Sequence, residues 1–286
     1  MKTILVAIDE SKSSRAAAFV AAELSKISGA KLKGLYVENS LRLLEWQPVE
    51  LMGAAIGVSS GIPNARPTIE QVEVEKEFIE EGNRLKTLFD DACLKAGVFG
   101  TFYVKRGTVE EIIVQESRTV DFVVIGRRGK TYPEGLHEPG PTTESLLRHT
   151  TRPVLVVPEG GKLKNKILIA YDGSETAQRA LSAGAAFSSL RNTEVEVISV
   201  ANDINTAEES LSEAKEFLFP YSFKTIFRIG IGSAMPWKAI MEEVERFDPG
   251  VIVLGAFGSN RILELIFGST TKQVLMEATC PVLLCR

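Results

Sequence analysis

The 286-residue chain is poor in cysteine and histidine. Its cysteines, Cys93, Cys280 and Cys285, are too few for a disulfide framework and lack the spacing of a metal signature. We expect them to be small buried residues in a reducing compartment. The histidines, His137 and His149, stand twelve residues apart without a cysteine or acidic cluster at ligand spacing. This argues against a zinc site and against a histidine-based catalytic triad.

An excess of one charge and long apolar runs are also missing. Lys and Arg number 33 against 37 Asp and Glu, a net charge of −4, which is not the basic footprint of a nucleic-acid-binding protein. No apolar run approaches the ~18 residues of a membrane span. The apolar start of the chain stops at Asp9, which is too early for a signal peptide. We therefore expect a soluble cytoplasmic protein that contacts neither nucleic acid nor membrane.

What the chain does contain is an internal repeat. An apolar segment that ends in Asp9 recurs as one that ends in Asp172, and the later segment ending in Gly126 recurs at Gly255. The offset is 163 residues at the aspartates but 129 at the glycines, so the first copy is longer by about 34 residues. We predict two domains, 1–158 and 163–286, with the additional residues inserted at about 38–70 of the first. The linker between the domains is rich in Pro and Gly.

Each copy alternates apolar strands with amphipathic helices. Strands are predicted at 2–8, 32–37, 101–105, 122–125 and 154–157 of the first copy, and at 167–171, 194–200, 223–228, 250–254 and 282–285 of the second. This order predicts an α/β fold of two tandem, doubly wound, five-stranded parallel-sheet domains. Ligands of such sheets bind beyond the carboxyl ends of the strands, where the strand order reverses. That crevice is expected to contain Asp9 or Asp172 and Gly126 or Gly255.

A glycine-rich segment follows the fourth strand of the second copy. Gly255 and Gly258 are followed, after nine residues, by Gly268 and Ser269 at the start of a predicted helix. Glycines let backbone approach a phosphate, and the free N–H groups of a helix N-terminus attract anions. Asp172 across the crevice is suited to accept hydrogen bonds from ribose hydroxyls. On spacing alone, an ordinary turn before a capped helix explains the segment equally well.

With this loop, the strand–Asp–Ser openings and the closing Pro-Val strands, the chain resembles a tandem universal stress protein. The resemblance implies an adenine nucleotide alpha hydrolase-like fold with strand order 3-2-1-4-5 in each domain. It also implies that the two final strands, 154–157 and 282–285, meet in an intramolecular pseudo-dimer; a homodimer stays open. One branch of the family binds ATP, usually with a divalent ion such as Mg²⁺ or Mn²⁺ on the phosphates. Another branch lacks the loop and binds no nucleotide.

In the second domain the resemblance implies a nucleotide site in which Asp172 meets the ribose and backbone surrounds the adenine. The residues assigned to this site are Ala170, Asp172, Val200, Leu254, Gly255, Phe257, Gly258, Gly268, Ser269, Thr270 and Thr271. Phe257 stands where the family often has Arg, which removes one cation from the phosphates. No side chain is assigned to catalysis or to direct coordination of the metal.

The first domain departs further from the pattern. Ten residues separate Gly129 from Gly140, and Pro141 replaces the usual Ser or Thr; proline lacks the N–H that would face a phosphate. The weaker counterparts of the site are Asp9, Val37, Gly126, Arg128, Gly129, Gly140, Thr142 and Thr143. The neighbouring Arg127 and Lys130 extend a basic spot that either contacts phosphate or is simply solvated. We expect the second site to bind the nucleotide and the first to be altered.

The resemblance favours a stress-response protein with ATP as a regulatory ligand and at most slow hydrolysis. An alternative is a nucleotide-independent signalling or adaptor protein of the same fold. An adenine-nucleotide-dependent enzyme, such as a ligase or a flavoprotein subunit, is a third interpretation that lacks its catalytic signatures. The insertion at 38–70 is interpreted as a lid over the first site, a partner-binding helix or a plain surface excursion. The sequence does not identify the stress or the pathway.

Overall fold

The computed structural model describes residues 1–44, 69–130, 138–191, 193–231, 235–256 and 268–286, which form ten strands and nine helices. The strands are β1 (Thr3–Ala7), β2 (Lys31–Asn39), β3 (Gly100–Gly107), β4 (Phe122–Gly126), β5 (Val154–Val157), β6 (Lys166–Ala170), β7 (Glu194–Ala201), β8 (Thr225–Ile231), β9 (Val251–Gly255) and β10 (Val282–Cys285). The helices are α1 (Lys12–Ser28), α2 (Leu41–Leu44), α3 (Ile69–Ala96), α4 (Val109–Ser117), α5 (Pro141–His149), α6 (Glu175–Ser189), α7 (Ile204–Leu218), α8 (Pro236–Phe247) and α9 (Ser269–Glu277). The strand limits agree with the sequence predictions to within three residues.

All ten strands belong to one sheet, in the order β3-β2-β1-β4-β5-β10-β9-β6-β7-β8. Each half therefore has the strand order 3-2-1-4-5, and every pairing within a half is parallel. The predicted doubly wound α/β fold is confirmed. The halves are joined by the antiparallel pair β5–β10, in which Leu155 lies opposite Leu283. The two strands that the resemblance brings together thus do pair.

The first helix of each half begins at the serine that follows the aspartate. The hydroxyl of Ser11 accepts a hydrogen bond from Ser14 N at 3.1 Å, and that of Ser174 accepts one from Ala177 N at 3.2 Å. Such caps satisfy one of the amides that a helix N-terminus leaves free. Helix α1 ends at Gly29, whose φ of 67° is left-handed and therefore suits glycine. The local sequence thus sets where the crevice-side helices start.

One hydrophobic core lies on each face of the sheet, because side chains alternate between the faces along a strand. Ile4 of β1 contributes to the core under α1, α3, α6 and α7, whereas Leu5 contributes to the core under α4, α5, α8 and α9. Both cores run across the junction of the halves: the rings of Phe122 in β4 and Phe187 in α6 lie 6.3 Å apart between centroids. The two repeats are thus packed as one body.

The insertion is described only at its ends, as helix α2 and the start of α3. Residues 45–68 lie outside the described part, so the three interpretations of the insertion stay predictions. All three cysteines are free and buried, as expected, and burial raises the pKa of both Cys280 and Cys285 to about 12. Within the described residues, none of the helices combines the length and the apolar character needed to cross a bilayer.

Candidate functional site

Each half places an aspartate just beyond the carboxyl end of its first strand. Asp9 accepts a hydrogen bond from Ser11 N at Oδ1, at 2.9 Å, and one from Lys130 N at Oδ2, at 2.8 Å. Asp172 accepts one from Ser174 N at Oδ1, at 3.0 Å. The backbone thus fixes both carboxylates at the mouth of the crevice, where the sequence placed them.

The glycines that end β4 and β9 are required by packing. A Cβ on Gly126 would lie 2.7 Å from Ser14 N, and one on Gly255 would lie 2.6 Å from Thr176 Oγ1 and 2.9 Å from the carbonyl carbon of the same residue. These separations are shorter than real Cβ contacts allow. Gly126 and Gly255 therefore let the first helix of each half approach the fourth strand, a role separate from ligand approach.

The threonine at the third residue of α5 and of α9 also holds the framework together. The hydroxyl of Thr143 donates to Gly126 O at 3.0 Å, and the hydroxyl of Thr271 donates to Gly255 O at the same distance. Both threonines are buried. Each bond ties the helix N-terminus to the end of the neighbouring strand, so these hydroxyls position the site in addition to any contact with a ligand.

The helix N-termini of the two sites differ. Neither N-cap glycine, Gly268 of α9 or Gly140 of α5, has a side-chain cap hydrogen bond, but α9 then begins with an exposed Ser269. Helix α5 begins with Pro141, and the hydroxyl of Thr142 donates to Glu110 Oε1 at 3.1 Å. A chain carboxylate therefore lies at the N-terminus of α5. Phe257 and Gly258 of the second site lie outside the described residues.

A cavity of about 380 Å³ opens at the crevice of the first half. Its lining includes every residue assigned to the first site except Gly140, namely Asp9, Val37, Gly126, Arg128, Gly129, Thr142 and Thr143. Gly140 lies behind them and donates through its N–H to Arg127 O at 2.9 Å. Lys130 of the predicted basic spot also lines the cavity, whereas sequence reasoning missed the further lining residues Tyr36, Arg42, Phe78, Glu81 and Glu110. No motif signals them, because several come from the insertion or from the helix after it.

The charged groups of this cavity are largely paired with each other. Lys130 Nζ contacts Glu10 and lies 3.4 Å from Glu81 Oε1. Hydrogen bonds from Lys130 and then Arg84 lower the pKa of Glu10. The pKa of Tyr36 is raised mainly by burial and in second place by the negative charge of the neighbouring Glu81 carboxylate. The phenol of Tyr36 therefore stays protonated beside Glu81.

The sequence model of the universal stress protein family matches residues 1–158 and 224–286. The chain belongs to the universal stress protein family. It is 27% identical over 287 residues to Universal stress protein Slr1230 of Synechocystis, covering 99% of both chains, and 24% identical over 302 residues to a universal stress protein of Mycolicibacterium smegmatis, covering 99% of this chain and 96% of that one. The crystal structure of a universal stress protein from Archaeoglobus fulgidus superposes with a TM-score of 0.76 at 20% identity, covering 99% and 98%.

One expectation about the basic spot is wrong in this universal stress protein fold. Arg127 is buried and its guanidinium Nη1 donates to the carbonyls of Leu275 at 2.8 Å, Met276 at 3.1 Å and Ala278 at 2.8 Å. These carbonyls end α9 of the other half. The guanidinium of Arg127 thus points to the end of α9 and not into the first crevice. The C-terminal carbonyls of a helix attract a cation, which favours this position.

The opposite half returns this contact. Arg286 donates through its guanidinium to the carbonyl of Arg148, near the end of α5. Helices α5 and α9 thus each have their C-terminus held by an arginine of the other half. Lys272 of α9 adds an ion pair with Glu138, which precedes Gly140, at 2.8 Å. The two crevices of this family member share one connected framework.

Proposed function

We propose that the chain is a cytoplasmic stress-response protein whose second domain binds ATP, or a related adenine nucleotide, as a regulatory ligand with at most slow hydrolysis. The family membership supports a role in the stress response. The observation that carries the nucleotide proposal is the N-terminus of α9, where the exposed Ser269 keeps the backbone N–H that Pro141 lacks in the first half. Its free N–H groups and the positive end of the helix dipole favour a phosphate.

The rest of the second crevice is suited to a nucleoside. Asp172 is exposed and held at Oδ1 by Ser174 N, so its carboxylate is available to ribose hydroxyl donors. Tyr171 N donates to Ile198 O at 2.9 Å, which keeps the ends of β6 and β7 together. The adenine would lie against the backbone of Ala170 and Val200 at these ends. The assigned residues Ala170, Asp172 and Val200 lie at or just beyond the carboxyl ends of β6 and β7, which supports a nucleoside at this edge of the sheet.

A divalent cation fits this proposal through the phosphates. Mg²⁺ and Mn²⁺ prefer oxygen ligands, and Mg²⁺ commonly combines one or two protein oxygens with substrate phosphates. The second crevice offers the hydroxyls of Ser269 and Thr270 and the carboxylate of Asp172 as oxygen donors. The ion would neutralise phosphate charge, while the chain itself would orient the nucleotide.

The relation of the two halves belongs to the same proposal. The antiparallel pair β5–β10 and the reciprocal contacts of Arg127 and Arg286 support an intramolecular pseudo-dimer. The free, buried cysteines and the balanced charge support a cytoplasmic location. Whether two chains then associate is decided by measuring the mass of the protein in solution.

The direct test is to denature the purified protein, identify any released nucleotide by mass spectrometry, and titrate the protein with ATP and Mg²⁺ in a calorimeter. Gly268→Val places a branched side chain at the phosphate helix, so we expect ATP affinity to fall about 100-fold, equivalent to ~3 kcal/mol. Gly140→Val at the matching position of the first half is the control and should leave this binding intact.

Two outcomes oppose the proposal in different ways. If the wild-type protein binds no adenine nucleotide and Gly268→Val behaves identically, the alternative of a nucleotide-independent signalling or adaptor protein is favoured. If Gly140→Val abolishes ATP binding and Gly268→Val does not, the nucleotide lies in the first domain. Circular dichroism of both variants checks that each is folded.

A further inference from the structure

The first-domain crevice has the volume of a binding site, but its charges do not suit a phosphate chain. The cavity of about 380 Å³ lies toward the small end of the range for small-molecule sites. It opens at the carboxyl ends of β1, β2 and β4, between α2, α3, α4 and α5. The charges of the first crevice can be compared with those of the second, because the aspartate–serine and threonine–glycine contacts are the same in both halves.

A carboxylate of the chain lies at the N-terminus of α5, the end that corresponds to the proposed phosphate site of the second half. Glu110 belongs to the first turn of α4, and its Oε1 accepts a hydrogen bond from Thr142 in the first turn of α5. Two helix N-termini thus converge on one carboxylate, and both positive ends favour it. Pro141 contributes no N–H that could compensate a second anion. A phosphate chain entering here would meet the like charge of Glu110.

The cations that line the cavity are mostly neutralised. Lys130 contacts both Glu10 and Glu81, and Arg42 contacts Glu81 at 3.9 Å. Glu81 is itself buried, with a side chain 9% exposed, so removing its cations would leave an unpaired buried charge, which is costly. Arg128 is a further lining cation, and it faces a cavity that also contains Asp9, Glu81 and Glu110. A triphosphate would have to compete with these carboxylates.

The remaining lining suits an uncharged ligand with a flat apolar part and hydroxyl groups. The side chains of Leu35, Val37, Phe78, Ile113 and Ile125 form apolar walls. Asp9 at the mouth is a fixed hydrogen-bond acceptor, positioned by two backbone amides. An apolar cavity with a few convergent polar groups is the usual design of a small-molecule site.

We propose that the first-domain crevice binds an uncharged nucleoside and excludes nucleoside triphosphates, because Glu110 occupies the phosphate position. The apolar walls receive the base, and Asp9 accepts hydrogen bonds from the ribose. The inference rests on the proposed function in one respect: it treats the two crevices as versions of one nucleotide site. The chain then responds to two chemically different ligands, a triphosphate in the second half and a nucleoside in the first.

The experiment uses the full chain carrying Gly268→Val, in which the second site is blocked, and titrates it calorimetrically with adenosine and separately with ATP and Mg²⁺. We expect adenosine to bind and ATP to bind at least about tenfold more weakly, as like-charge contact at an interface predicts. Adding Glu110→Gln should raise ATP affinity about tenfold and leave adenosine affinity unchanged, since the amide removes the charge but still accepts from Thr142. Glu111→Gln, an exposed neighbour in the same turn, is the matched control and should change neither.

The results separate this inference from the proposed function. If ATP binds Gly268→Val as tightly as adenosine does, or if Glu110→Gln leaves ATP affinity unchanged, Glu110 does not exclude phosphates and the inference is overturned. It is also overturned if adenosine does not bind at millimolar concentration. Adenosine binding to Gly268→Val should be lost with Asp9→Ala and kept with Asp172→Ala, which assigns the adenosine to the first crevice; the reverse result also overturns the inference. With that assignment made, failure of the wild-type chain to bind ATP counts against the proposed function alone.

Discussion

The two crevices share a framework and differ in the groups that would meet a ligand. Asp9 and Asp172 each accept from the serine that caps the next helix, and Thr143 and Thr271 each hold a glycine carbonyl at 3.0 Å. The differences lie at the helix N-termini, where the first half has Pro141 and a carboxylate. The geometry that packing requires is thus the same in both halves, whereas the groups at the helix N-termini differ.

The contacts across the junction sharpen this comparison. Arg127 stands where the second half has Ala256, and its three hydrogen bonds to the end of α9 have no counterpart from that alanine. Arg286 supplies the reciprocal contact to α5 from a different position in the repeat. The two halves therefore solve the same problem, an unsatisfied helix C-terminus, with residues that do not correspond.

The largest expected effect is on Arg127. Arg127→Met keeps the length of the side chain but removes three charge-assisted hydrogen bonds and leaves buried carbonyls unpaired, so we expect the free energy of unfolding to fall by about 3 kcal/mol. Urea denaturation followed by circular dichroism measures this loss. Arg128→Met, at the next and partly exposed position, is the control and should change stability by less than about 0.5 kcal/mol. Equal losses for the two variants would contradict the assigned role of Arg127.

The next effect tests whether the paired glycines are packing residues in both halves. A methyl group at Gly126 meets the backbone of Ser14, and one at Gly255 meets Thr176, so Gly126→Ala and Gly255→Ala should each lower the free energy of unfolding by about 2 kcal/mol through overpacking. Gly82→Ala is the control, because a Cβ at Gly82 meets nothing closer than 3.7 Å. Gly82 lies in a helix, where alanine should be neutral or stabilising relative to glycine. Gly97 would not serve, because its φ is 70°.

These variants distinguish packing from binding when stability and ATP affinity are both measured. If Gly255→Ala leaves stability unchanged and only weakens ATP binding, the glycine serves ligand approach alone. If both alanine variants lose stability to the same extent, Gly126 and Gly255 are both needed for packing between the first helix and the fourth strand. The two halves then share this packing, whatever each of them binds.

The sequence predicted the fold almost completely because its signals are local and occur twice. Continuous apolar strands, the serine after each aspartate and the recurrence of the whole pattern determine the element order and the doubly wound topology. The pairing of β5 with β10 came from resemblance alone, since no local pattern indicates which strand edges meet. Helix α5 begins at Pro141 itself, because proline is well tolerated in the first turn of a helix.

The candidate site was less predictable for physical reasons. The role of Arg127 depends on carbonyls about 150 residues away, as the separations of 148 to 151 in its bonds show. The role of Glu110 depends on the convergence of α4 and α5, and Glu110 looks like an ordinary helix-surface residue in the sequence. Glu81 belongs to a helix that follows the insertion. Only tertiary contacts bring these groups to the crevice.

The sheet itself contains a further difference between the halves. Glu196 of β7 lies opposite Leu168 of β6. The corresponding residue of the first half is Lys33, which lies opposite Leu5. The carboxylate of Glu196 is fully buried, accepts from Arg246 Nη2 at 2.6 Å, and lies 3.8 Å from Arg228 Nε. Burial, and then a hydrogen bond with Glu243, raise the pKa of Glu196 despite Arg246. For Glu243, burial is outweighed by hydrogen bonds with Glu196 and Arg246, which lower its pKa.

The smallest expected effect is a pH-dependent one at Glu196. A carboxyl group whose pKa is raised on folding stabilises the protein below its unfolded pKa, about 4.3, and this stability is lost as the pH rises through the folded pKa, at about 1.4 kcal/mol per pKa unit. Glu196→Gln cannot ionise, so its free energy of unfolding relative to wild type should rise as the pH increases from about 4.3. The lowered pKa of Glu243 contributes stability that is lost only as the pH falls below about 4.3, so the trend is measured above that pH. Urea denaturation at a series of pH values measures this difference. Lys33→Gln is the matched variant of the first half, and its difference from wild type should not change with pH over this range. If the difference for Glu196→Gln does not change either, Arg246 and Arg228 offset the cost of burying the Glu196 carboxylate.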